Sequence, residues 1–195
     1  MTETAAHAAL PAARRAMIDS QLRPCGVNEP WVLAAMAALP REDFLPADLA
    51  AHAYIDRALP LGGDLYLASP VVQAQMLASA EPTAQDKALV VGTGNGYLPA
   101  LLAQMAGAVE TIKAGEAPVG SGYTLILIDG AIEVLPEALV AVLAEGGRVV
   151  TGLLDRGVSR LALGRKAGGQ VALTALCDLP IPALAAFARP KQWSF

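Results

Sequence analysis

The sequence predicts an α/β fold: a mostly parallel sheet, entered through a helical N-terminal third and closed by an antiparallel hairpin. Three observations carry this. Ala88-Leu89-Val90-Val91 is a short apolar run that ends in Gly92-Thr93-Gly94-Asn95-Gly96, as expected of a buried parallel strand turning directly into a helix. Tyr123 to Ile128 is a second apolar run, with Asp129 at its carboxyl end. The runs Arg160–Arg165 and Val171–Leu179 flank Gly168-Gly169, a hairpin signal.

In the first third, Pro11 can open a helix that carries Met17, Ile18 and Leu22 on one face, and Pro24 with Gly26 stops it. Asn28 is placed to cap a second helix, which has Pro30 in its first turn, turns Trp31, Leu33 and Met36 inward and ends near Pro40. A third helix over about Pro46 to His52 leads to a loop, Leu59-Pro60-Leu61-Gly62-Gly63. Ser69-Pro70 then caps a helix with Val71, Val72, Met76 and Leu77. Beyond the glycine turn come a helix over Gly96–Met105, a strand over Ala108–Ile112, the strand Tyr123–Asp129 and a helix around Pro136–Ala144. Gly146-Gly147 turns the chain into the strand Arg148–Leu153.

A chain of 195 residues suits one domain. Within 1–195, residues 1–80 read as a helical cap region and 81–195 as the sheet core. The apolar fraction of 54% owes much to alanine, which favours packed helices over a membrane. The longest charge-free stretch, Ala88 to Val109, contains Gly92, Gly94, Asn95, Gly96 and Pro99, so it is not one apolar helix of about 20 residues. No membrane span is expected. The start Met1-Thr2-Glu3-Thr4 lacks a basic stretch before an apolar one, and a cytoplasmic location follows by default. Cys25 and Cys177 have neither metal-ligand nor disulfide spacing and read as packed thiols; no metal is expected. The net charge of −4 gives no basic footprint, so nucleic acid is not an expected partner. His7 and His52 have no partner motif and read as surface or helix positions, while Trp193 and Phe195 could pack back on the sheet or meet another subunit.

The chemistry sits in the glycine turn. Closely spaced glycines let backbone N–H groups and a helix start approach a ligand without side chains in the way. The spacing is G-x-G-x-G, and Tyr97 stands where a dinucleotide fingerprint needs its third glycine, which argues against NAD or FAD. No Gly-Lys-Ser/Thr follows, so it is not a P-loop. The plain alternative is a tight turn that binds nothing. Asp129 has two readings as well: lining the ligand crevice, or capping the next helix.

Several segments, in order and spacing, resemble the protein-L-isoaspartate O-methyltransferase family. They are Arg15-Ala16-Met17-Ile18-Asp19-Ser20-Gln21-Leu22-Arg23-Pro24; Val32 to Met36 with Pro40-Arg41-Glu42-Asp43-Phe44; Ala53-Tyr54-Ile55-Asp56 with Leu59-Pro60-Leu61-Gly62; and Gly92-Thr93-Gly94-Asn95-Gly96-Tyr97. Asp129-Gly130-Ala131 and Leu143 to Arg148 continue the match. The resemblance implies a Rossmann-like methyltransferase sheet under an N-terminal helical cap. It implies S-adenosylmethionine as cofactor, held by Gly92, Thr93, Gly94, Asn95, Gly96 and Asp129, and methyl transfer to an isoaspartyl carboxylate on a protein or peptide.

This chain departs from the family pattern at several points. Aligned on Leu61-Gly62 and Pro70, the family's substrate segment falls on Asp64-Leu65-Tyr66-Leu67-Ala68-Ser69, with Tyr66 at its threonine, Ala68 at its serine and a repelling carboxylate at Asp64. Ser69 reads first as a helix cap. Val90 stands where the family has an acid before the glycines, and Lys113 where an acid should hold the ribose; Glu110 reads as an exposed strand charge. The stretch between the loop helix and Tyr123 is one helix and strand short of the fold. The missing strand would lie at the sheet edge, so the Ala108–Ile112 strand would need cover, from a homodimer contact or a shielding loop. No catalytic residue is assigned, and two readings stay open: a methyltransferase, or a degenerate, non-catalytic relative that binds a ligand or another protein.

Overall fold

The computed structural model describes residues 3–190. Helix α1 (Glu3–Met17) runs into a π-helical turn over Ile18–Leu22, and Met17, Ile18 and Leu22 are buried. Pro11 lies inside α1 instead of opening it. In α2 (Pro30–Ala38) the proline occupies the first turn, where its missing N–H costs nothing. The expected Asn28 cap does not form: Glu29 is the residue before the helix, and the Asn28 amide donates back to the Gly26 carbonyl at 3.3 Å. Leu33 and Met36 are buried and Trp31 is half-buried. A 3-10 turn forms at Arg41–Phe44, and of the helix expected over Pro46–His52 only a 3-10 turn at Ala50–His52 is present.

The segment read as a loop is a hairpin. Strands β1 (Leu59–Gly62) and β2 (Leu65–Leu67) pair antiparallel around Gly63-Asp64, a glycine-acid turn between apolar arms too short to show an alternation. Helix α3 (Pro70–Ala80) follows, capped by Ser69, whose Oγ accepts from the Val72 N–H at 3.4 Å.

The remaining strands are β3 (Lys87–Gly92), β4 (Ala108–Lys113), β5 (Tyr123–Ile132), β6 (Leu143–Asp155), β7 (Val158–Ala167) and β8 (Gln170–Asp178). Helix α4 (Tyr97–Leu102) joins β3 to β4, and α5 (Glu137–Val142) joins β5 to β6. They form one sheet in the order β4-β3-β5-β6-β7-β8. Its first four strands are parallel, and β6, β7 and β8 run as an antiparallel meander. The central strands carry near-continuous apolar runs because both faces are covered. The N-terminal helices, α3 and the sheet share a single apolar core. The chain leaves β3 to one side for β4 and returns on the other as β5, so the strand order reverses at the carboxyl end of β3.

One edge unit is absent. Strand β4 is the edge, and only Ala114–Gly122 lie between it and β5, with neither helix nor strand. Charge covers part of this edge: Glu110 pairs with Lys87 at 3.3 Å and lies 2.7 Å from the Tyr123 hydroxyl, and the Lys113 N–H donates to Glu116 Oε2 at 2.8 Å. Both cysteines are exposed, contrary to the packed thiols expected: Cys25 follows the π-helical turn at the surface, and Cys177 lies on the open strand β8. Trp193 and Phe195 lie outside the described residues. No helix among the described residues is long and apolar enough to cross a membrane.

Candidate functional site

A cavity of about 600 Å³ opens at the carboxyl end of β3, at the reversal point of the sheet. Its floor is Gly92 and Thr93, one wall is the β1–β2 hairpin with Asp64 and Tyr66, and Lys113 and Ala114 stand at the end of β4. The far wall is a segment that sequence reasoning missed, Pro182–Ala186. This segment is tied across the strand ends, since the Ala131 N–H donates to the Pro182 carbonyl at 2.7 Å and the Leu184 N–H to the Ala131 carbonyl at 2.8 Å. Its apolar, proline-broken composition gave no periodicity from which a position could be read.

Gly94 and Gly96 take φ of +95° and +90°, a left-handed backbone that a side chain would strain, so the loop demands glycine at both places. Asn95 fastens the loop instead of facing the cavity: its Nδ2 donates to the Phe44 carbonyl at 2.9 Å and its Oδ1 accepts from the Tyr97 N–H at 3.2 Å. The Thr93 hydroxyl donates to the Tyr66 carbonyl at 3.2 Å, joining the loop to β2.

Tyr66 is the keystone of the hairpin wall. Its hydroxyl donates to the Asp129 carbonyl at 2.6 Å and lies over Gly130, where a β-carbon would come within 2.5 Å of it, so the close approach requires glycine. Burial raises its pKa, and the Asp129 charge adds to the rise, so the hydroxyl stays protonated. Ala68 is buried, and its carbonyl accepts from Arg41 Nη2 at 2.7 Å; Ser69 is occupied as the α3 cap. Of the segment Asp64 to Ser69, then, Asp64, Leu65 and Tyr66 reach the cavity.

Asp129 lies behind the cavity, with its Cβ 3.1 Å from where a side chain on Gly92 would begin. Its Oδ2 accepts from Gln73 Nε2 at 3.2 Å, and Gln73 Oε1 accepts from Arg41 Nη1 at 2.7 Å. The Arg41 guanidinium stacks over the Tyr97 ring at 4.6 Å. Asp129 Oδ1 is buried and has no hydrogen-bond partner among the described residues. Burial pushes its carboxyl up to about 6, against the pull of Gln73 and Arg41. Burial also lowers the Arg41 pKa, while Tyr97, Asp129 and Tyr54 oppose it. Gln73 was missed in the sequence, although a glutamine among Val71, Val72, Met76 and Leu77 is the one polar break on that buried face.

A mostly parallel sheet with a glycine turn at its reversal point, and a cavity of about 600 Å³ beside that turn, defines a Rossmann-like α/β protein. Residues 12–117 match the family described as protein-L-isoaspartate(D-aspartate) O-methyltransferase. Curated relatives of that name agree: a Koribacter versatilis protein is 34% identical over 85% of this chain and 87% of its own length, and one from Methanoregula boonei is 32% identical over 80% and 85%. The chain belongs to the protein-L-isoaspartate O-methyltransferase family. Its fold is that of a putative protein-L-isoaspartate O-methyltransferase from Plasmodium falciparum, solved with S-adenosyl-L-homocysteine, at a TM-score of 0.74 and 16% identity over 89% of this chain and 98% of that one. A second structure titled protein-L-isoaspartate O-methyltransferase superposes with a TM-score of 0.72, at 18% identity over 90% of this chain and 67% of that one. The alignment to the Koribacter protein runs over 193 positions, more than 85% of a 195-residue chain can fill, so that relative carries residues without counterparts here.

Proposed function

We propose that this chain is an S-adenosylmethionine-dependent carboxyl O-methyltransferase whose substrates are isoaspartyl carboxylates on proteins or peptides. The observation that carries it is the family match over residues 12–117, which takes in the hairpin wall, the start of the glycine turn and the end of β4 that line the cavity. The residues present fit the cofactor. Gly92 and Thr93 bring the turn to the cavity, the left-handed Gly94 and Gly96 let the chain turn there, and the cavity volume lies in the range of small-ligand sites. The Lys113 ammonium can donate to ribose hydroxyls. No acid stands at Val90 or Lys113.

When bound, S-adenosylmethionine supplies a methyl group activated on a positively charged sulfur. The acceptor carboxylate arrives already ionised, so the protein has to position it in line and exclude water more than to remove a proton. The chain's contribution is enclosure: the glycine turn below, Tyr66 held to the Asp129 carbonyl on one side, and the pinned segment Pro182–Ala186 on the other. In this reading Gly92, Thr93 and Gly94 contact the cofactor, while Asn95, Gly96 and Asp129 hold the turn that does so. Asp64, at the rim, disfavours the anionic acceptor, and Ala68 brings no hydroxyl to it, so turnover on isoaspartyl peptides is slow.

Calorimetric titration with S-adenosylhomocysteine tests the cofactor half, and release of base-labile methanol from an isoaspartyl peptide tests the acceptor half. Micromolar binding with methanol release bears the reading out. No binding at millimolar ligand would sink it.

A further inference from the structure

We infer that Asp129 makes this cavity discriminate on charge: its carboxylate, set behind the floor at the β5 end, favours a ligand whose sulfur is positively charged over one whose sulfur is neutral. The inference rests on the methyl-donor reading above and deepens it, since the donor is a sulfonium and the product left by transfer is a neutral thioether. The direction of the ligand follows from the walls. Lys113 and Ala114 stand at the β4 end of the cavity, and Tyr66, tied to the Asp129 carbonyl, stands at the β5 end. With the ribose at Lys113, the sulfur end crosses Gly92 toward Asp129.

Val91 pairs with Ile128, so Asp129 stands beside Gly92 on the neighbouring strand, with its Cβ 3.1 Å from where a side chain on Gly92 would begin. Its Oδ1 is buried with no hydrogen-bond partner among the described residues, and none of their ion pairs includes Asp129. Arg41 is the cation that acts on it, and Gln73 keeps the two apart by accepting from Arg41 Nη1 at 2.7 Å and donating to Asp129 Oδ2 at 3.2 Å. The other guanidinium nitrogens donate to the Ala53 carbonyl at 2.9 Å and the Ala68 carbonyl at 2.7 Å. The carboxylate therefore lacks a direct counter-charge. Burial keeps the nearby phenols of Tyr66 and Tyr97 protonated, while Lys113 lies over Gly94 on the β4 side and Asp64 on the hairpin rim. A charge held in a low-dielectric interior acts across several ångströms without contact, so a cation above Gly92 gains from it and a neutral sulfur does not.

The full chain is titrated calorimetrically at pH 8 and pH 5 with S-adenosylmethionine, S-adenosylhomocysteine and sinefungin, an analogue that carries an ammonium in place of the sulfonium. Asp129→Asn is measured alongside, because asparagine keeps an acceptor for Gln73 and removes only the charge; thermal unfolding checks its fold. At pH 8 the two cationic ligands should bind the natural chain about tenfold more tightly than S-adenosylhomocysteine. Burial pushes the carboxyl up to about 6, so the preference should fall to about twofold at pH 5. A bound cation favours the ionised form, so cation binding between these two pH values should release about half a proton, read as a dependence of the binding heat on the buffer. Asp129→Asn should level the preference and abolish the release. Equal binding of all three ligands, or a preference that survives Asp129→Asn, overturns the inference and leaves the methyl-donor reading standing. A preference in the natural chain that does not fade by pH 5 overturns it without recourse to the variant. No binding of any of the three at millimolar ligand overturns the inference and the methyl-donor reading together.

Discussion

The two ends of the sheet treat a buried carboxylate in opposite ways. At the amino ends, Asp86 accepts from both Arg148 terminal nitrogens, at 2.9 and 2.8 Å, from the Thr124 hydroxyl at 2.6 Å and from the Thr83 N–H at 2.7 Å. Burial alone would raise its pKa, but Arg148, Thr124 and Thr83 outweigh it and hold the carboxyl below the usual range. At the carboxyl ends, Asp129 has Gln73 on one oxygen and no partner among the described residues on the other. A clasped carboxylate tethers β3, β5 and β6; an incompletely satisfied one costs stability, and such a cost is retained where a site needs it.

The largest effect should come from breaking the clasp. Arg148→Met leaves Asp86 as an uncompensated buried charge and should lower the unfolding free energy by about 3 kcal/mol, read as a shift of the urea midpoint at unchanged slope. At Asp129 the sign reverses. Its folded pKa of about 6 lies above the usual carboxylate value, so its stabilising share is complete below the unfolded pKa and is lost as the pH rises through 6. Asp129→Asn should therefore be more stable than the natural chain by about 1–2 kcal/mol at pH 8 and no more stable at pH 4. Asp86 behaves conversely, losing its share as the pH falls through a folded value below the usual range. Loss of stability at pH 8 in Asp129→Asn would abolish the contrast and make Asp129 a structural residue like Asp86.

The strand frame was more legible in the sequence than the long-range contacts that complete either end of the sheet. The runs Ala88–Val91 and Tyr123–Asp129, the closing hairpin and the missing edge unit could all be read because buried parallel strands are apolar throughout and glycines punctuate them. Ser69 was legible as a cap for a local reason, the proline that follows it. What could not be read was long-range. The Arg41–Gln73–Asp129 chain joins residues far apart in sequence, and Pro182–Ala186 becomes a wall only once β5 presents Ala131 to it. The β1–β2 hairpin was hidden for want of length, and the exposure of Cys177 depends on β8 being the last strand of its sheet.

Smaller effects sharpen the same contrast. Asp64→Gln removes an exposed carboxylate from the rim of the cavity, and the KM for an isoaspartyl peptide should fall roughly fivefold, about 1 kcal/mol, with kcat little changed. An unchanged KM would mean that the acceptor does not pass Asp64.

The smallest effect belongs to Glu110, the exposed charge that joins Lys87 and the Tyr123 hydroxyl beside the shortened connection. This group shares its strand with Lys113, three residues nearer the cavity, so the pair separates edge cover from ligand contact along one strand. An exposed ion pair contributes little, because water and salt screen it and two long side chains must be held in one geometry. Glu110→Gln should leave the thermal midpoint within about 2 °C and nucleoside binding unchanged, whereas Lys113→Met should change binding at the same midpoint. If Glu110→Gln weakened nucleoside binding as much as Lys113→Met does, the edge strand would be acting as one unit, and the division between a satisfied amino end and a ligand-facing carboxyl end would not hold for β4.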